Sequence, residues 1–74
     1  MPRRLSLDEQ RFAAEERYSR YLREVKDHLF AAEGDAQKGH WSSSANSLNA
    51  ALMTIGSMSG VCRELNLIYL LTEE

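Results

Sequence analysis

Between Trp41 and Cys62 there is no Asp, Glu, Lys or Arg, although charged residues make up 27% of the chain. A charge-free stretch of this length invites a membrane reading. Asn46, Asn49 and the serines break its apolar run well short of the roughly 20 residues a bilayer requires, so no membrane span is expected. Cysteine is scarce as well: Cys62 stands alone, which excludes an internal disulfide and a cysteine-built zinc site. No apolar segment of the secretory type follows Met1, and a cytoplasmic location is the expectation. Basic charge is not in excess. A net charge of -2 argues against a protein whose main affinity is for nucleic acid or an anionic membrane.

Catalytic signatures are missing too. The sequence holds no Gly-rich phosphate loop, no HExxH, no GxSxG and no paired carboxylates framing a cleft. His28, His40 and Cys62 are the nitrogen and sulfur ligand candidates. A metal needs three or four such groups at about 2.0 to 2.3 Å, and in the hairpin argued below these residues fall at different levels. The same separation removes a Cys-His nucleophile pair. No catalytic residue, metal or cofactor is therefore assigned, and a non-enzyme is expected.

What is present is helical pattern. Seventy-four residues with 43% hydrophobic content make one small folded domain, of a size at which oligomerisation commonly supplements a thin core. Residues 1 to 38 carry eight basic and eight acidic side chains, and 39 to 74 carry only Arg63, Glu64, Glu73 and Glu74. The first half is the solvated half. Residues 1-5 (MPRRL) read as a flexible basic tail, and 6-74 as a single helical-hairpin domain. Ser6-Leu7-Asp8-Glu9 fits a capping box, in which the Ser6 hydroxyl accepts from the Glu9 amide and the Glu9 carboxylate reaches back. From there Leu7, Ala14, Tyr18, Tyr21, Leu22, Val25, Leu29, Ala32 and Ala36 recur at three- and four-residue steps, which predicts a helix over about 6-38. Glu16 with Arg20, Arg20 with Glu24 and Arg23 with Asp27 fit i,i+4 ion pairs on its wet side. Gly34 is a candidate bend.

Lys38-Gly39-His40-Trp41 reads as a stop and a turn over 39-41: Lys38 suits the C-terminal dipole and Gly39 the left-handed residue after the helix. One of Ser42, Ser43 and Ser44 is expected to cap a second helix over about 42-72. Two helices joined this closely lie antiparallel. Gly39-His40-Trp41, followed by Ser44, Leu48 and Ala51, resembles the turn of a tetratricopeptide repeat, where a glycine, an aromatic, then small, large and small residues recur at these offsets. The resemblance covers about a dozen residues and implies the hairpin. It has serine where that family prefers alanine, and no second copy follows, so peptide binding is not carried over.

On an ideal 100° wheel with Ile55 at zero, Leu48, Ala51, Leu52, Met58, Cys62, Leu65, Tyr69 and Leu70 fall within about 80°. This face is assigned to the first helix, with Val25 opposite Ile55, Ala32 opposite Leu48, and Tyr18 and Tyr21 opposite Ser59 and Cys62. Cys62 is accordingly expected to be buried. Ala50, Met53, Ser57, Gly60, Val61, Ile68 and Leu71 make a second apolar face on the far side. A helix apolar on two faces needs two neighbours, so these seven are assigned to the interface of a homodimer, a four-helix bundle with the second helix central. The Gly56-xxx-Gly60 step would let another backbone approach closely.

The first helix bears the functional hint. Phe12 and Phe30 both fall opposite its core stripe, with Glu16, Arg20 and Arg23 on the strip between. Aromatics and arginine dominate binding hot spots, so Phe12, Glu16, Arg20, Arg23 and Phe30 are assigned to a partner protein. The expected function is a small regulator, adaptor or inhibitor, the kind of chain phages and plasmids carry. Two alternatives come from other classes. A nucleic-acid-binding regulator would use Arg3, Arg4 and the arginines 17, 20 and 23, and a structural subunit would pair its second helix with a different protein.

Overall fold

Two helices account for nearly all of the described residues. The computed structural model describes residues 6-72, in which α1 spans Leu7–Gln37 and α2 spans Trp41–Thr72, packed against each other as an antiparallel hairpin. The basic tail assigned to residues 1-5 and the end of the domain at 73 and 74 lie outside the described residues. Ser6 starts α1 as its sequence required. Its hydroxyl accepts from the Glu9 amide at 3.2 Å, and its own amide donates to Glu9 Oε1 at 3.4 Å. Asp8 and Glu9 add acidic charge where the first turn exposes its amides. α1 then continues through Gly34 without interruption, so the bend considered there is not formed.

The turn is closed by backbone alone. Gly39 takes φ +76, its amide donates to the Ala36 carbonyl at 3.0 Å, and the His40 amide donates to the Asp35 carbonyl at 2.8 Å. This paired arrangement satisfies two of the carbonyls that a helix end leaves bare, and it uses one left-handed residue that only glycine adopts cheaply. Reversal is so quick that α2 begins at Trp41, with the Ser44 amide already bonded to the His40 carbonyl at 3.0 Å. The serines thus sit inside the first turn, past the capping position. Ser44 is buried, and its hydroxyl donates to the Ala32 carbonyl across the hairpin at 2.9 Å.

The seam between the helices follows a seven-residue repeat. On α1 the buried or half-buried residues include Leu7, Arg11, Ala14, Tyr18, Tyr21, Val25, His28 and Ala32; on α2 they include Ser44, Ser47, Ala51, Thr54, Met58, Val61, Leu65 and Ile68. Steps of three and four alternate without a break, the spacing of a coiled coil. The register is marked near the turn by Ser44 on Ala32 and near the open end by Arg17, whose guanidinium donates to Glu64 Oε2 at 2.7 Å. The side chains most deeply enclosed are small: Ala14, Val25, Ala32, Ala51 and Val61, joined by Ile68. Small residues let the two backbones come close, and they also leave the seam with little apolar area.

This repeat corrects the assignment of faces on α2. Val61 and Ile68, given to a contact between two copies, are each only 4% exposed because they are packed against α1. Ala50 is half-buried at the edge of the seam. Of the same set, Met53 and Leu71 are exposed at 78% and 64%, and Ser57 and Gly60 are exposed as well. Conversely Leu48, Leu52, Ile55, Tyr69 and Leu70, read as facing α1, stand in solvent, and so does Cys62. Ala51 is the member of the expected inner face that is fully enclosed, at 1%. Two causes combine. The wheel is centred on Ile55, whereas the seam beside it runs through Ala51, Thr54 and Met58, on average about 70° around the helix. A seam that repeats every 3.5 residues also drifts by about 20° per heptad against a 3.6-residue wheel, which carries Val61 and Ile68 still further from the side of Ile55.

Candidate functional site

Large apolar side chains stand in solvent at Met53, Leu67, Leu70 and Leu71 and, more closely grouped, in two regions of the surface. The first is the outer side of α1. Phe12 is 64% exposed and Phe30 is 81% exposed, and they stand 18 residues or about 27 Å apart along the helix. Trp41 is itself 69% exposed, so Phe30 is not folded over it. Phe12, Glu16, Arg20 and Arg23 border one shallow open hollow of about 560 Å³, together with Glu15 and Ser19. Four of the five residues assigned to a partner thus share a single depression, and Phe30 stands apart from it. The ion pairs expected along this strip are not made. The Arg20 guanidinium lies over the ring of Tyr21, 5.6 Å from its centroid. Arg11 bridges Asp8 and Glu15 at 3.5 Å each, one turn nearer the start of α1. Arg20 and Arg23 consequently present guanidinium donors that no carboxylate among the described residues holds.

Arginines 17, 20 and 23 do not line up as a phosphate track. Arg17 is turned to the side and bonded to Glu64, and Arg3 and Arg4 lie outside the described residues.

The second region lies beside the seam. In the heptad frame Trp41, Leu48, Ile55, Cys62 and Tyr69 form one stripe of α2, next to Leu52, and Leu22 and Leu29 form the facing stripe of α1. Leu48, Ile55, Tyr69 and Leu29 are each close to half exposed, and Leu52 is 66% exposed. At the open end of this flank a hollow of about 480 Å³ is bordered by Glu15, Tyr18, Ser19, Cys62, Leu65, Asn66 and Tyr69. Sequence reasoning missed this flank as a surface because it took these residues for core. The signal was available in the alternating steps of three and four from Ser44 to Ile68.

His28 is half-buried in the seam, His40 is exposed at the turn, and Cys62 is exposed on the apolar flank. Among the described residues no group of three His, Cys, Asp or Glu side chains could hold a metal ion. No described helix is long and apolar enough to cross a membrane. Comparison with family models, with curated proteins and with solved structures finds no match to the chain.

Proposed function

We propose that the protein is a small non-enzymatic regulator, adaptor or inhibitor that docks on another protein through the outer side of α1. The observation that carries this reading is the exposure of Phe12 and Phe30 on a helix whose other large apolar side chains, Leu29 apart, are buried or half-buried. A Phe side chain carries 150 Å² or more of burial, so two of them in solvent are available to a groove of matching spacing. Between them Arg20 and Arg23 offer planar donors that suit a partner's carboxylates or aromatic faces. The hairpin holds these four side chains on one rigid helix, so little ordering entropy is lost when they dock. Binding would then mask or bridge a surface on the target, with no bond made or broken.

The test is retention of a partner from a lysate of the source organism by the immobilised protein and by a Phe12→Ser/Phe30→Ser variant. A protein partner held by the native chain and lost from the variant supports the reading. Equal retention by both sinks it. Retained nucleic acid whose amount falls steeply between 50 and 200 mM salt would replace it with the phosphate-binding alternative.

A further inference from the structure

The apolar flank beside the seam exposes about as much area as one side of a stable interface needs. We propose that two copies of the chain associate through it, antiparallel, about a two-fold axis that passes beside Ile55. This goes beyond the docking role of α1 and does not depend on it.

The need for cover comes first. The chain exposes 5953 Å², about 1,300 Å² more than a compact monomer of 8.4 kDa would. Leu29, Trp41, Leu48, Leu52, Ile55 and Tyr69 together leave roughly 700 Å² in solvent, close to the 800 Å² or so that each partner contributes to a stable interface. The opposite flank carries the Arg17 to Glu64 pair, and its exposed large side chains, Met53, Leu67 and Leu71, are fewer and are interrupted by Ser57 and Gly60.

The order of side chains then selects the occupant. Trp41 and Tyr69 are each 14 residues from Ile55, and Leu48 and Cys62 are each seven away. With the α2 helices antiparallel, Ile55 meets itself, Leu48 meets Cys62, and Trp41 meets Tyr69. On the adjoining stripe Leu52 meets Ser59 and Ala45 meets Asn66. Large faces small where Leu48 meets Cys62 and where Leu52 meets Ser59, as close packing requires, and Trp41 meets the second aromatic ring of the stripe, Tyr69. None of these α2 positions is charged, so the symmetry brings no like charges together. The end of the contact is shaped as well: the hollow of about 480 Å³ beside Tyr69 lies where the two-fold delivers the indole of Trp41. Glu15, Ser19 and Asn66 on its border provide acceptors for the indole N–H, which a buried tryptophan requires. Equal spacings belong to any heptad stripe; a second copy is favoured because the exposed area matches one side of a standard interface and the antiparallel order sets Leu48 on Cys62 and Leu52 on Ser59 with no charge on either side.

The mass in solution and a directed cross-link test the arrangement. Sedimentation should give a species of twice 8.4 kDa. Trp41, the only tryptophan, should shift its emission to the red as the protein is diluted into monomer. Ile55→Asp sets two carboxylates against each other on the axis and should halve the mass; circular dichroism reports whether that variant stays helical. The cross-link does not depend on that variant. In Leu48→Cys the new thiol faces Cys62 of the other copy, whereas within one helix the two are about 21 Å apart and cannot bridge. Diamide, which takes up the two electrons and two protons released as the S–S bond forms, should convert this variant into covalent dimers linked from 48 to 62. The native chain, whose two Cys62 thiols lie at opposite ends of the contact, should not cross-link. A folded monomer at high micromolar concentration overturns the proposal. So does a native chain that links Cys62 to Cys62, or a Leu48→Cys variant that forms no 48 to 62 bond.

Discussion

The two flanks of the seam are closed differently. On one flank α1 and α2 are joined by Arg17 and Glu64, both about 40% exposed, a pair that water already satisfies. On the other flank Leu29, Leu48, Ile55 and Tyr69 are left half in solvent. The seam between them encloses mainly alanine, valine and serine. Apolar content alone is therefore a poor guide to the inside of this molecule, because its largest side chains lie beside the core and its smallest lie within it. Small side chains set how closely the helices approach. Large ones are left for whatever covers the flank.

Neighbouring residues break the comparison most sharply. Ile68 is 4% exposed and Leu67 is 61% exposed, although both are large, apolar and adjacent on α2. Ile68→Ala should cost about 2 to 5 kcal/mol, enough to unfold a domain this small, whereas Leu67→Ala should stay within about 0.5 kcal/mol. Urea titrations of both variants at one fixed protein concentration check this, and comparable losses would mean that the seam has been misplaced.

Gly60 sharpens it next. A methyl group added there meets nothing within 4 Å, and the position lies away from both the seam and the proposed two-fold contact. Gly60→Ala should raise stability by about 1 kcal/mol through helix propensity alone, with no change in mass. A loss of stability or of self-association would instead show that the step from Gly56 to Gly60 is in use against another backbone. The smallest effect is expected on the polar flank. A double-mutant cycle of Arg17→Ala and Glu64→Ala should give a coupling below about 1 kcal/mol that shrinks as salt is added.

Much of this fold is legible in the sequence because its signals are local. Ser6 with Glu9 starts α1, Gly39 ends it, and the long run without proline keeps both helices intact. The antiparallel pairing follows from so short a turn, and at the open end its level is right, as Arg17 on Glu64 shows. Which side of α2 faces inward is not local. It depends on which residues the seam crosses at mid-helix and on a difference of about 0.1 residue per turn that accumulates from there, and a fixed wheel centred on Ile55 loses both. Ser44 was misjudged for a related reason: a serine near a helix start caps when it precedes the first turn and packs when it lies within it. The outer side of α1 needs no such accumulation, since Phe12 and Phe30 stand opposite a stripe that α1 does bury, and both are exposed.

The central claim is that Val61 and Ile68 belong to the chain's own seam while Leu48, Leu52 and Ile55 belong to a second copy. Isotope-filtered NMR on a mixture of labelled and unlabelled protein separates contacts within a chain from contacts between chains. Methyl contacts between chains at Leu48, Leu52 and Ile55, with those of Val61 and Ile68 confined to the same chain, are the predicted result. Contacts between chains at Val61 and Ile68 would contradict the account.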